Sequence, residues 1–294
     1  MEKNISCPIC RSDKIIFFCG KNGFKIYNCA FCRLAFVWPT PANLAEIYQA
    51  SYYKRDASNG TDDKFGYTDY EEDKKAMRET FVIYLDKISR LTAGRKIFDV
   101  GAATGYFLDL ARRAGWQTNG SEISEYAAKA AEGKGHKIFL GDLARMEHRE
   151  KYDAVTMWDV LEHLADPKQY LKSAYSILNQ GGLLAINTID KSSCWARFSG
   201  KNWQAIMPPE HLFYYSDKSL KMLLEQNGFE ILEKSKIGKK FTLSYICRVL
   251  AHSYNFKILL KLADFLNKGP WRKIYLPVNL RDNVFVIARK ANAI

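Results

Sequence analysis

From residue 95 to residue 190 the apolar positions follow a repeating two-part pattern. A short apolar run gives way to a stretch in which apolar residues recur every three or four positions. Ile97-Phe98 leads into Asp99-Val100-Gly101-Ala102-Ala103-Thr104-Gly105, after which Phe107, Leu108, Leu110 and Ala111 repeat at helical spacing. This predicts a buried strand, a glycine turn and an amphipathic helix. Further strands are predicted before Glu122, at residues 137–141, at residues 152–157 and after Gly181-Gly182, with later ones at residues 229–233 and 284–288. Regular strand–helix alternation argues for a parallel, doubly wound α/β sheet. Upstream, residues 43–48 and 76–91 read as helical. The intervening stretch 52–70 is polar and Asp/Gly-rich, a composition that suggests a mobile loop. Tyr52, Tyr53, Tyr67 and Tyr70 lie on it, read first as packing residues and second as a lid.

The glycine turn narrows the ligand class. Glycine accepts positive φ and leaves room for a ligand, and the free N–H groups at a helix start face that ligand. Counted from Gly101, the third and sixth positions of the dinucleotide fingerprint hold Ala103 and Tyr106, and no Gly-Lys-Ser/Thr follows. Without a phosphate grip the turn suits a nucleoside-like ligand that lacks phosphates. Glu122, twenty-three residues beyond Asp99, is placed to accept hydrogen bonds from ribose hydroxyls. Asp142 and the Trp158-Asp159 pair close the next two predicted strands, on the side where open α/β sheets bind ligands.

Composition adds three points. No apolar run approaches the ~20 residues of a membrane-spanning helix, and the first residues lack the apolar core of a signal peptide. The expected location is therefore cytoplasmic. Cys7-Pro-Ile-Cys10 and Cys29-Ala-Phe-Cys32, eighteen residues apart, have the spacing of a four-thiolate zinc ribbon around a hairpin turning at Gly20–Gly23. Four protein ligands leave such a zinc no open position, so its expected role is structural. Cys19, Cys194 and Cys247 read as packing residues. The net charge of +12 is concentrated late: residues 231–294 carry thirteen Lys/Arg against three Asp/Glu. That balance favours a phosphate-bearing substrate or an anionic membrane surface, with nucleic acid third. A solvated basic face kept for solubility is the plainer reading.

The ordered set Asp99-Val-Gly-Ala-Ala-Thr-Gly105, Gly120-Ser-Glu-Ile123, Gly141-Asp-Leu143, residues 158–167 and Gly181-Gly182 resembles class I S-adenosylmethionine (SAM)-dependent methyltransferases. Pro209-Glu-His-Leu-Phe-Tyr-Tyr-Ser216 and Asn227-Gly-Phe229 extend the likeness, which is strongest to the branch of ubiquinone-type and surface-carbohydrate methyltransferases. The resemblance implies a Rossmann-like seven-stranded sheet with helices on both faces, beside the small N-terminal zinc ribbon. It divides the chain into a ribbon at 1–38, a helical cap at 39–92 and a SAM-binding domain at 93–294 with a basic insertion at about 239–278. It also implies that Asp99 orients the methionine part of SAM, that Gly101 and Gly105 admit it, and that Glu122 holds the ribose. Asp142 would hold the adenine amino group with Leu143 against the ring, and Trp158 would belong to the same pocket. Ala103 stands where the family often has glycine.

Methyl transfer needs alignment and, for a hydroxyl or carbon acid, a base. His211, in Pro208-Pro209-Glu210-His211, and His163 are the candidates, with nearby aromatics expected to wall a pocket. If the stretch after Trp158 begins a helix, Asp159, Glu162 and His163 share one face. Ubiquinone-type relatives carry a similar acidic–histidine motif that supports a divalent metal. A capped helix with a packed histidine is the plainer alternative. The Glu210-His211-Leu212 and Tyr214-Tyr215-Ser216 pieces resemble sugar C-methyltransferases, but the large second sugar-binding domain is missing, so O-methylation is preferred. In the insertion, Leu243, Ile246, Leu250 and then Leu259, Leu262, Leu266 repeat at helical spacing among Arg248, Lys257, Lys261 and Lys268. Such a helix pair either packs on the domain, lies on a membrane or covers a pocket. The expected acceptor is a small molecule, in particular a nucleotide- or lipid-linked sugar of cell-surface biosynthesis, with peripheral contact to anionic membrane. An RNA base methyltransferase is the main competitor, since zinc ribbons and basic charge also suit RNA.

Overall fold

The computed structural model describes residues 5–42, 44, 47, 53, 74–75, 77–147, 150–254, 256, 258–267, 271 and 274–291. The N-terminal part contains β1 (Ile15–Lys21), β2 (Phe24–Cys29), β3 (Ala35–Val37) and α1 (Arg78–Leu91). Next come β4 (Lys96–Val100), α2 (Tyr106–Arg113), β5 (Gln117–Glu122), α3 (Glu125–Gly133), β6 (Lys137–Leu140), β7 (Tyr152–Trp158), α4 (Pro167–Ile177) and β8 (Leu178–Ile189). After α5 (Cys194–Ser199), β9 (Phe213–Tyr214) and α6 (Asp217–Glu225), the chain forms β10 (Phe229–Lys236), β11 (Lys239–Thr242), α7 (Leu243–Tyr254) and α8 (Ile258–Leu266). It ends with β12 (Tyr275–Val278) and β13 (Asn283–Lys290).

Seven strands form one sheet in the order β10-β13-β8-β7-β4-β5-β6. β8, β7, β4, β5 and β6 are mutually parallel, and β13 runs antiparallel between β8 and β10. Period-two alternation divides each central strand between two cores. Ile97, Ala154 and Phe285 face a core closed by α1 and α2, in which Phe81, Tyr84, Leu85 and Ile88 supply the apolar stripe of α1. Phe98, Val155 and Val284 face the opposite core, closed by Leu171, Ala174 and Ile177 of α4 and Leu220, Leu223 and Leu224 of α6. Helices thus cover both faces, as a sheet with a parallel centre requires.

The ribbon is built into this second core. Ile9, Ile26, Leu34 and Phe36 belong to the same buried cluster as Leu161, Leu212, Tyr214 and Tyr215. The sheet order is β1-β2-β3-β9, so β9 of the α/β domain completes the ribbon's sheet. Of the cysteines expected to pack, Cys19 and Cys247 are buried, whereas Cys194 is exposed at the first position of the short α5. Of the four tyrosines of the 52–70 stretch, Tyr53 is described and buried; the other three lie outside the described residues.

Candidate functional site

The parallel strands carry their polar residues at one edge. Asp99, near the end of β4, is 3% exposed and accepts a 2.6 Å hydrogen bond from the Thr156 hydroxyl on β7. Burial raises its pKa to about 7, and the neighbouring Glu122 adds to the rise. Gly101 and Gly105 have φ of +70° and +81°. A Cβ at Gly101 would come within 2.8 Å of Val160 Cγ2, so the turn has room for glycine alone. Glu122 ends β5. Its Oε2 accepts the Ala103 N–H at 2.8 Å and its Oε1 accepts the Ser124 N–H at 2.9 Å. Burial pushes the Glu122 pKa up, and these N–H donors hold it back. Tyr53 donates its hydroxyl to the same carboxylate at 3.3 Å and packs on Ala103 and Ala127.

Asp142 follows β6 and caps the 3₁₀ turn at Leu143–Arg145 by accepting the Ala144 N–H at 2.7 Å. Leu143 is fully buried in the core behind that turn. Trp158 ends β7 inside an aromatic cluster with Phe81, Phe107 and Phe285, 4.7 to 5.2 Å between ring centroids. A pocket is lined by Asp99, Gly101, Ala102, Tyr106, Trp158 and Lys74. The indole N–H of Trp158 is buried and has no hydrogen-bond partner among the described residues. Lys74 is the member that sequence reasoning missed. It is 7% exposed, and its ammonium lies 3.8 Å from Asp159. It precedes α1 in a stretch read only as a helical cap, with no motif around it, so spacing alone carried no signal of it.

The residues after Trp158 do not begin an α-helix. Asp159 adopts φ +54°, and only a 3₁₀ turn forms at Leu161–His163. The shared helix face expected for Asp159, Glu162 and His163 is therefore absent. Asp159 turns toward Lys74 and accepts the Asn187 side-chain N–H. Glu162 and His163 are joined instead by His211, and one ligand atom from each of the three lies within 4.8 Å of the others. The two imidazole rings meet edge to face at 4.7 Å. His211 Nδ1 bonds the Ala205 carbonyl at 2.8 Å and His163 Nδ1 bonds the Glu210 carbonyl at 2.9 Å. Carbonyls only accept, so both rings carry a proton on Nδ1. Glu162 is 1% exposed and accepts from the Thr188 hydroxyl at 2.8 Å. Burial, then the Asp159 charge, raises its pKa. Burial also brings His211 down to about 4, with His163 contributing. His211 is neutral at neutral pH.

The loop bearing His211 is held by the ribbon. Val37 N–H donates to the Leu212 carbonyl at 2.9 Å, and β3 pairs with β9 immediately beyond. Ser216 Oγ donates to the Cys32 carbonyl at 2.8 Å, and Asn22 donates to the Pro208 carbonyl at 2.9 Å. Leu212 N–H in turn bonds the Glu162 carbonyl at 2.8 Å. The aromatics expected to wall a pocket here, Phe213, Tyr214 and Tyr215, are buried in the ribbon contact instead.

The four ribbon thiols lie within 4.8 Å of one another, with Sγ–Sγ distances of 3.5 Å for Cys7–Cys32 and for Cys10–Cys29. A tetrahedron of zinc–sulfur bonds near 2.3 Å places sulfurs roughly 3.8 Å apart, whereas a disulfide needs about 2.05 Å. The cluster can hold a zinc ion and is not a pair of disulfides.

Residues 74–234, more than half of the chain, match the family described as "Methyltransferase domain", and the chain belongs to that family. It is similar to the ubiquinone biosynthesis O-methyltransferase of Shewanella sp. (strain ANA-3), 28% identical over 119 residues, which is 37% of this chain and 50% of that one. The protein of the same description from Ruegeria sp. (strain TM1040) is 29% identical over 163 residues, covering 48% of this chain and 63% of that one. The chain thus spans about half the length of the curated relatives it matches. Among solved structures, the YcgJ protein of Bacillus subtilis superposes with a TM-score of 0.50 at 13% identity, covering 73% of this chain and 100% of its own. A chain from the complex of the Haloferax volcanii Trm112 methyltransferase activator gives 0.53 at 13% identity, covering 76% and 95%. These likenesses establish the fold.

Proposed function

We propose that this chain transfers the methyl group of SAM to a hydroxyl of a small-molecule acceptor. The observation that carries the reading is the grouping at one sheet edge. Two buried carboxylates flank a glycine turn, and a buried carboxylate with two imidazoles stands at the end of the next strand. The family and the O-methyltransferase relatives support it.

The pocket suits the cofactor chemically. SAM carries an ammonium, a carboxylate, a ribose diol and an adenine. Asp99 offers a carboxylate to the ammonium, and Lys74 with the unpartnered Trp158 N–H offers positive charge and a donor to the carboxylate. Glu122 accepts from the ribose hydroxyls. Asp142 would accept from the adenine amino group, with Leu143 fully buried in the turn that follows it. Bound SAM supplies an electrophilic methyl group on a sulfonium. The acceptor oxygen forms the new C–O bond as the C–S bond breaks, and its proton needs a receiver. Glu162 and His211 provide one: the Nδ1–H of His211 is tied to Ala205, so Nε2 receives the proton, and Glu162 stabilises the imidazolium that results. His163 holds the Glu210 carbonyl and packs against the His211 ring.

A second reading rests on the same donor set. A carboxylate and two imidazoles, each ring held by an Nδ1–H to a carbonyl, are suited to a divalent cation. The acceptor is assigned to the sugar or nucleotide- and lipid-linked sugar class on the strength of the basic late segment and of the loop around His211. Incubation with methyl-labelled SAM and a cell extract tests the reading. Label in small-molecule or glycolipid fractions, lost in His211→Ala with SAM binding intact, supports it. Label in RNA overturns the acceptor class, and failure to bind SAM overturns the whole.

A further inference from the structure

We propose that the helical hairpin α7–α8 is a docking surface for an anionic phospholipid bilayer. The insertion is bracketed by the β11–β12 ladder and joins the end of β10 to the start of β13. β10 runs parallel to β8, because both pair antiparallel with β13. The hairpin therefore leaves and re-enters the sheet at the strand-end edge that carries Asp99, Trp158 and Glu162.

α8 is apolar on two sides. Leu259, Ala263 and Leu266 face α7, where they pack with Cys247 and Leu243. Ile258, Leu262 and Phe265, spaced to share a second face roughly 100° round the helix from that contact, are 77%, 44% and 61% exposed. Phe256 before the helix and Trp271 after it are also exposed. A surface helix ordinarily turns a polar face outward. An apolar outer face is costly in water and is the arrangement of a helix lying in a membrane interface.

Charge selects the occupant. Residues 243–278 contain Arg248, Lys257, Lys261, Lys268, Arg272 and Lys273 against Asp264 alone. Asp264 is itself paired with Arg248 at 2.6 Å. The same excess disfavours a second copy of the chain, since two such faces repel. A negatively charged bilayer meets both demands, apolar acyl chains for the outer stripe and headgroups for the cations. Docked in this way, the strand-end edge stands close to the lipid surface, where an amphiphilic acceptor resides.

Co-sedimentation of the full chain with vesicles tests this without an acceptor or methyl transfer, so its failure and that of the proposed reaction are distinguishable. Phosphatidylcholine vesicles containing about one-third phosphatidylglycerol should bind the protein, and raised salt should weaken the binding. The combined Ile258→Ser, Leu262→Ser and Phe265→Ser variant should bind at least about tenfold more weakly. Ile83→Ser, at an exposed apolar site on α1, should bind as the parent does. Lys261→Glu, which spares the apolar face, should weaken binding to the anionic vesicles. No binding by the parent, or equal binding by the triple variant, overturns the proposal. So does a lipid-free dimer that the triple variant converts to monomer, which would assign the face to self-association.

Discussion

Replacing Asp99 by asparagine removes one titrating group from the centre of the pocket while preserving its shape and its bond from Thr156. Burial raises the Asp99 pKa from 3.8 to about 7. Between those values the folded chain holds a proton that the unfolded chain has released, so folding stability falls as pH rises through that window. It levels off above the folded value. A rise of this size corresponds to about 4 kcal/mol as an upper bound. An asparagine side chain, which does not ionise, carries no such penalty. In the ligand-free protein Asp99→Asn should therefore raise the melting temperature at pH 8, by up to about 10 °C for a chain of this size. At pH 4.5, near the foot of that window, the difference should shrink to about 1 kcal/mol. SAM reverses the balance, because its ammonium favours the ionised carboxylate. Parent affinity for SAM should fall as pH drops below about 7, with proton release on binding, and the variant should bind weakly at every pH. Thermal melts across pH 4.5–8.5 with and without SAM, and calorimetry in buffers of different ionisation enthalpy, read these effects. Parallel melting curves, or a pH-independent SAM affinity in the parent, would refute the assignment of Asp99 as a buried carboxyl awaiting a cation.

Four further outcomes follow from the same geometry. Gly101→Ala should abolish SAM binding and destabilise the fold by about 1–3 kcal/mol, since its Cβ meets Val160 at 2.8 Å in a left-handed backbone; calorimetry and melting check both. Lys74→Met should weaken SAM binding about tenfold, the worth of one desolvated charge contact of this kind, while Lys74→Arg should retain part of it. Stripping the four-cysteine cluster by chelation, or Cys29→Ser, should lower the melting temperature and stop methyl transfer while leaving SAM affinity within about threefold, because the ribbon supports the His211 loop and not the glycine turn. A metal assay on the purified chain should find one zinc per protein, lost in Cys29→Ser.

Much of the site was legible in the chain because its signals are local. The Asp99–Gly105 turn, the cysteine pairs, and the acids at residues 122 and 142 are each defined within a few residues of a predicted strand, where turn chemistry and period-two burial leave few alternatives. The parallel centre of the sheet likewise follows from alternation of strand and helix. Tertiary structure decided what depends on distant partners. Glu162 and His163 meet His211 because β9 pairs with β3 and the Leu212 N–H bonds Glu162; the ribbon contacts that hold this loop join residues 184 and 186 positions apart. Lys74 enters the pocket because α1, which follows it, packs Phe81 on Trp158 at the end of β7. Asp159 leaves the expected metal set because its backbone turns left-handed at the strand end. Nor does periodicity reveal that α8 uses only one of its two apolar stripes against α7. A repeat of three and four residues states that a face is apolar, and only the fold determines whether anything covers it.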